Sequence, residues 1–99
     1  MSNEELRSEV AAVPANIYPG MFDEEVQATI KVGGREVTVF TAKSNVVTDK
    51  APSEKGTPGR LKVYLVDVSE KGFLIDLPGE ALGATRRVRV AKDMVYRME

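Results

Sequence analysis

The strongest constraint on this chain is a pair of adjacent glycines. Glu25-Val26-Gln27-Ala28-Thr29-Ile30-Lys31-Val32 alternates apolar and polar residues, Gly33-Gly34 follows, and Arg35-Glu36-Val37-Thr38-Val39-Phe40-Thr41 alternates again. Two glycines between alternating runs specify a two-residue hairpin, because a primed turn needs positive φ at both central positions. The turn fixes the register: Val32 faces Arg35, Lys31 faces Glu36, Ile30 faces Val37, Thr29 faces Thr38 and Ala28 faces Val39. One face then carries Val26, Ala28, Ile30, Val37 and Val39, and the other Gln27, Thr29, Lys31, Glu36 and Thr38. A slip of one residue would turn every apolar side chain outward, so pairing and patterning support the same answer.

A second hairpin is predicted from Leu61 to Leu77, with Ser69-Glu70-Lys71-Gly72 at its tip. Gly72 suits the left-handed position that closes a three-residue loop, a type I turn followed by a bulge. That choice sets Ser69 opposite Phe73, Asp67 opposite Ile75 and Leu65 opposite Leu77. Leu61, Val63, Leu65, Phe73, Ile75 and Leu77 share the core face. The reverse side is not polar, since it carries Tyr64, Val66, Val68 and Leu74. A strand apolar on both sides is either covered within a barrel or part of a contact surface. Tyr64, Val66, Val68, Leu74 and Phe40 are therefore the candidate protein-contact residues, the alternative being that the N-terminal segment and Ile17-Tyr18 cover them.

Ser2 and Glu5 have capping-box spacing, and Leu6, Val10 and Val13 fall on one side of a short helix that Pro14 would stop. Residues 13–22, with two prolines and a glycine, read as an extended connection. Residues 48–59, rich in Pro and Gly and poor in anything to bury, read as the mobile loop. Glu80-Ala81-Leu82-Gly83 suggests one helical turn. Thr85–Ala91 suggests a strand with Val88 and Val90 inward and Arg87 and Arg89 outward, ahead of a short turn at 91–94 and a terminal Val95-Tyr96-Arg97. The expected architecture is mainly β: a small five- or six-stranded antiparallel barrel, partly open, SH3-like or OB-like, with a short N-terminal helix. Residues 1–20 would form an acidic helix and arm, and residues 21–99 the barrel.

Composition narrows the function. The chain has 99 residues, 14 basic and 15 acidic, with no His and no Cys. Imidazole and thiol chemistry are thereby excluded, along with disulfides. Catalysis would need paired carboxylates, a Ser with a Lys base, or a Mg²⁺ site built from carboxylates; Asp67 and Asp76, the acids inside the predicted strands of the second hairpin, point to opposite faces in the register above. No cofactor is expected and no metal site. The acidic start and the lack of an apolar run of about 20 residues lead to an expectation of a cytoplasmic chain without a membrane partner.

Asp67-Val68-Ser69-Glu70-Lys71-Gly72 matches D-x-S-x-x-G, and with Phe73–Pro78 and a later strand it resembles the corresponding segment of PilZ domains. Over residues 60–91, that resemblance implies a small β-barrel binding cyclic di-GMP, with Asp67 and Ser69 contacting the nucleotide and Gly72 completing the motif. The family's R-x-x-x-R element is absent here: the approach to the first hairpin, Phe22-Asp23-Glu24-Glu25, is acidic. Ser69 and Gly72 are also what a tight turn requires. Arg86, Arg87, Arg89, Lys62 and Arg60 form a candidate nucleic-acid strip with Tyr64 or Phe40 offering a ring, whereas arginines on an edge strand equally discourage unwanted pairing. The pI near 5.5 weighs against nucleic acid. The sequence thus leads to a non-catalytic module that binds a protein partner or a second copy of itself.

Overall fold

A computed structural model describes residues 9–82 and 86–97. The chain forms β1 (Glu9–Pro19), β2 (Glu25–Val32), β3 (Arg35–Ala42), β4 (Val46–Thr48), β5 (Thr57–Ser69), β6 (Gly72–Asp76), β7 (Glu80–Leu82), β8 (Arg87–Val90) and β9 (Tyr96–Arg97). All pairings are antiparallel, in the order β7-β3-β2-β1-β5-β6-β8, with β4 added to β5 and β9 to β1. The sheet curls into an open half-barrel whose wall is six strands, β3, β2, β1, β5, β6 and β8.

The glycine-closed hairpin has the expected register, from Val32 opposite Arg35 to Ala28 opposite Val39. Gly33 and Gly34 take φ of 56° and 85°, the primed geometry whose twist matches the strands. Val26, Ala28, Ile30, Val37 and Val39 are buried. On the reverse face the hydroxyls of Thr29 and Thr38 pair at 3.0 Å.

The N-terminal reading is corrected. Ser2, Glu5 and Leu6 lie outside the described residues, and residues 9–19 are a strand, not a helix and arm. β1 is the middle of the sheet, paired with β5 from Glu9 to Ile17 and with β2 from Asn16 to Pro19. A domain division at residue 20 would therefore separate two hydrogen-bonded strands. The physical reason is period: Ala11, Val13, Ala15 and Ile17, spaced by two, lie on one face of a strand and are all buried, while Ala12, on the other face opposite Tyr96, is buried as well. Pro14 would be costly in a fully paired strand. It falls between the stretch paired with β9, Ala11–Ala12, and the stretch paired with β2, where that edge of β1 has no register partner.

The second hairpin keeps the expected core face but not the expected register. Ser69 pairs with Gly72 across a two-residue turn, Val68 with Phe73 and Asp67 with Leu74, whereas Leu65 pairs with Ile75 and Tyr64 with Asp76. The extra residue sits at Val66, a bulge inside β5 instead of at the turn. Leu61, Val63, Leu65, Ile75 and Leu77 are buried, and Phe73 packs against them.

Two further expectations change. Glu80–Leu82 is a strand on the free edge of β3, not a helical turn; Gly83 and Thr85 lie outside the described residues. Of segment 48–59, Thr48 ends β4 and Thr57–Gly59 begins β5, leaving 49–56 as the loop. Thr57 is buried, and its Oγ1 donates to the Ala51 carbonyl at 2.9 Å. Gly56 lies against the Tyr18 ring, where an added Cβ would come within 3.0 Å. The last strand agrees with expectation: Val90 is buried, Val88 packs on the core, and Arg87 and Arg89 are exposed. No helix among the described residues is long and apolar enough to cross a membrane.

Candidate functional site

Among the described residues the barrel interior is lined by aliphatic side chains, and no buried side-chain nitrogen or oxygen lacks a hydrogen-bond partner. Exposed side chains stand in the outward rows of the sheet.

Directly opposed residues share a face, which groups the surface side chains into rows. The first row crosses four strands, Val10 on β1, Tyr64 on β5, Asp76 on β6 and Arg87 on β8. The second runs Tyr96, Ala12, Lys62, and the third Pro14, Arg60, Val47. Arg60 links these rows, its guanidinium carbon 4.5 Å from the centre of the Tyr96 ring, a cation–π contact. Val10 and Tyr64, side by side at the centre of the sheet, are each 41% exposed.

The bulge at Val66 redistributes the expected contact residues. Tyr64 and Leu74 are on the outer face, Leu74 between Asp67 and Arg89. Val68 is opposite Phe73, which is opposite buried Val90, so it lies on the core side beyond the packed interior and is 48% exposed there. Val66 is half-buried in the bulge. Phe40 lies in another row, with Gln27 and Tyr18, on the other half of the sheet. The expected patch is therefore not one patch. Instead, Val10 stands beside Tyr64, Tyr96 lies one row along across β1, and Val47 two rows along opposite Arg60.

Asp67 and Asp76 share the outer face, contrary to the register expected from sequence, because the bulge brings Asp67 opposite Leu74, two residues from Asp76. Each is engaged. The Asp67 Oδ1 accepts the Val68 N–H at 2.9 Å. Asp76 accepts both arms of Arg87, Nε to Oδ1 at 2.8 Å and Nη2 to Oδ2 at 3.0 Å. That forked hydrogen bond holds the Asp76 carboxyl below the usual carboxylate range against a smaller opposing effect of burial, with the charges of Arg87 and Arg86 adding to it.

The D-x-S-x-x-G residues have local work. Ser69 Oγ accepts the Lys71 N–H at 3.2 Å, donates to the Gly72 carbonyl at 3.3 Å and accepts from Arg89 Nη1 at 3.1 Å. Gly72 has φ of 139°, and a Cβ there would come 2.3 Å from the Val90 carbonyl oxygen. The glycine is required by the close passage of β8. Of the basic strip, Lys62 and Arg60 stand beside Tyr64, while Arg87 and Arg89 lie two strands away on β8, and Arg86 Nε donates to the Leu77 carbonyl at 3.3 Å.

A second feature lies at the far end of β1. The turn joining β1 to β2 displays Met21, 82% exposed, and Phe22, 71% exposed, followed by Asp23, Glu24 and Glu25. Its backbone is tied: Gly20 N donates to the Glu25 carbonyl at 3.1 Å, Glu25 N to the Phe22 carbonyl at 3.0 Å, and Lys43 N to the Glu24 carbonyl at 2.9 Å. Glu25 Oε1 also accepts the Met21 N–H at 3.1 Å. A shallow cleft of about 300 Å³ adjoins it, lined in part by Pro19, Lys43 and Pro52. The sequence signal for this turn was an apolar pair placed between Pro19-Gly20 and an acidic run.

No protein-family model, curated protein or solved structure matches this chain.

Proposed function

We propose that this chain is a non-catalytic binding module of the small β-barrel kind, and that it meets another protein surface through the outer face of β1, β5 and β9. The observation that carries this reading is the side-by-side exposure of Val10 and Tyr64 at the centre of the sheet. The solvated face of an antiparallel sheet is ordinarily polar; here the two form an apolar platform, with Tyr96 one row along across β1 and Arg60 and Lys62 at its border. Aromatic anchors rimmed by arginine are the residue types that dominate protein contact energies. The aliphatic lining of the interior supports binding over transformation.

Cyclic di-GMP is the second reading, favoured by the approach of Arg89 to Ser69, which adds a guanidinium to the D-x-S-x-x-G turn. Amide chemical shifts discriminate the two. On the protein-contact reading, concentrating the chain or adding its partner moves Val10, Tyr64 and Tyr96, while cyclic di-GMP and a single-stranded oligonucleotide at low salt leave the spectrum unchanged. Movement of Ser69, Lys71 and Arg89 on adding cyclic di-GMP would replace this reading with the nucleotide one.

A further inference from the structure

We infer that the partner of this face is the Met21–Glu25 turn of a second copy of the chain, joined head to tail. The inference rests on the protein-contact reading above and names its occupant.

Two surfaces of opposite character occupy opposite ends of β1. At one end stand Met21 and Phe22, the most exposed large apolar side chains described, followed by three carboxylates. At the other, Val10, Tyr64 and Tyr96 are bordered by Arg60 and Lys62, with Arg87 and Arg89 farther out and the carboxylates Asp67 and Asp76 beside them. An apolar pair with an acidic skirt matches an apolar platform with a largely basic border, in charge and in chemistry. A net charge of −1 leaves little general repulsion between copies.

The contact cannot be made within one molecule. Pro14, opposite Arg60, and Val10, opposite Tyr64, precede Met21 by seven and eleven residues of nearly continuous strand, which at about 3.3 Å per residue is about 20 to 35 Å. The turn is also held in shape before it meets anything, by the three backbone hydrogen bonds and the Glu25 carboxylate. Gly20 permits that tight closure, since a Cβ there would lie 2.6 Å from the Glu25 carbonyl oxygen. A pre-shaped projection loses little freedom on docking. Because the two surfaces differ, the contact is heterologous, and copies add in an open series unless the rotation closes a ring.

The experiment is a complementation by sedimentation velocity. The turn variant Met21→Ser/Phe22→Ser and the face variant Arg60→Glu/Lys62→Glu change exposed or half-buried side chains, and matching circular dichroism and melting curves establish that both fold. Wild type is expected to sediment faster as concentration rises and less so at high salt. Each variant alone is expected to lose at least tenfold in association, yet an equimolar mixture should form a one-to-one dimer that grows no further, since each supplies the surface that the other lacks. If the face variant dissociates but the turn variant still assembles, the face is self-complementary and the head-to-tail inference is overturned while the protein-contact reading stands. If both variants still assemble, both readings fail. A wild type that stays monomeric at millimolar concentration overturns the inference and leaves the face to a different protein; retention of an oligonucleotide through Arg60 and Lys62 by that monomer puts nucleic acid there instead.

Discussion

The two hairpins of this barrel are closed by glycines for different reasons, and the difference separates scaffold from surface. Gly33 and Gly34 are needed for conformation alone: both have positive φ, and a Cβ at either would meet nothing within 4 Å. Gly72 is needed for space as well, because β8 passes so close that a Cβ would strike the Val90 carbonyl. The first hairpin is regular along its whole length, with a buried face and a face that is polar apart from Phe40. The second carries a bulge and exposes apolar side chains on both sides. Where one face is unambiguous, the ladder runs straight; where both are apolar, the chain is free to place its irregularity in mid-strand and re-aim what lies beyond it.

The largest expected effects test whether the hairpins are equal partners in the core. Ile30 and Ile75 are both essentially inaccessible, so Ile30→Ala and Ile75→Ala should each cost about 3 kcal/mol in urea unfolding. A cost at one position half that at the other would show that one hairpin is peripheral. The glycines come next. Gly72→Ala is expected to lose about 2 to 3 kcal/mol, from strain and from the separation of β6 and β8, whereas Gly33→Ala should lose only about 1 kcal/mol, the penalty of a left-handed alanine. Equal losses would show that space does not constrain Gly72 beyond conformation. Deleting Val66 is milder: Leu65 opposite Ile75 and Asp67 opposite Leu74 are in register without it, so the variant should fold with stability within about 1 kcal/mol of wild type and retain both cross-strand NOEs. Loss of the Asp67–Leu74 contact would show that the bulge holds the turn in place.

The smallest effect is electrostatic. The folded-state pKa of Asp76 is lowered by Arg87, so the pair contributes stability above the ordinary carboxylate range and loses it as pH falls through the lowered value. The Arg87 side chain is more than half exposed, and an exposed pair contributes little. Asp76→Asn should flatten the acid limb of the stability curve slightly and leave the plateau near pH 7 almost unchanged. A drop on the plateau as large as that of Gly72→Ala would mean that the pair organises the second hairpin.

These contrasts also explain what the sequence revealed. Residues 25–41 were legible to the register, because a two-glycine turn and a strict period of two leave a single solution. The Val66 bulge was not, since Tyr64, Val66 and Val68 are all acceptable on either side and the pattern carries no mark where it slips. β1 is hidden in the sequence because Val10 and Val13 suit a helical stripe, while the strand signal rests on the small residues Ala11 and Ala15, with Pro14 interrupting it. The face depends on contacts distant in sequence: Val10 meets Tyr64, and Arg60 meets Tyr96. Tyr64, Arg60 and Lys62 could be nominated singly from local pattern, but their assembly with Val10 and Tyr96 follows from topology. The Met21-Phe22 pair looked like part of a connection because only its exposure gives it meaning.

Among the described residues the sheet does not close on itself: β8 pairs only with β6, and short β7 covers only part of β3. Such an arrangement has a sheltered middle and two hems, and thermal fluctuation should unpick it from the hems inward. Amide protons of β8 and β7 would then trade with deuterium early and those shared by β1 and β5 late, so the strand that links the two proposed contact surfaces is the last part of the molecule to soften.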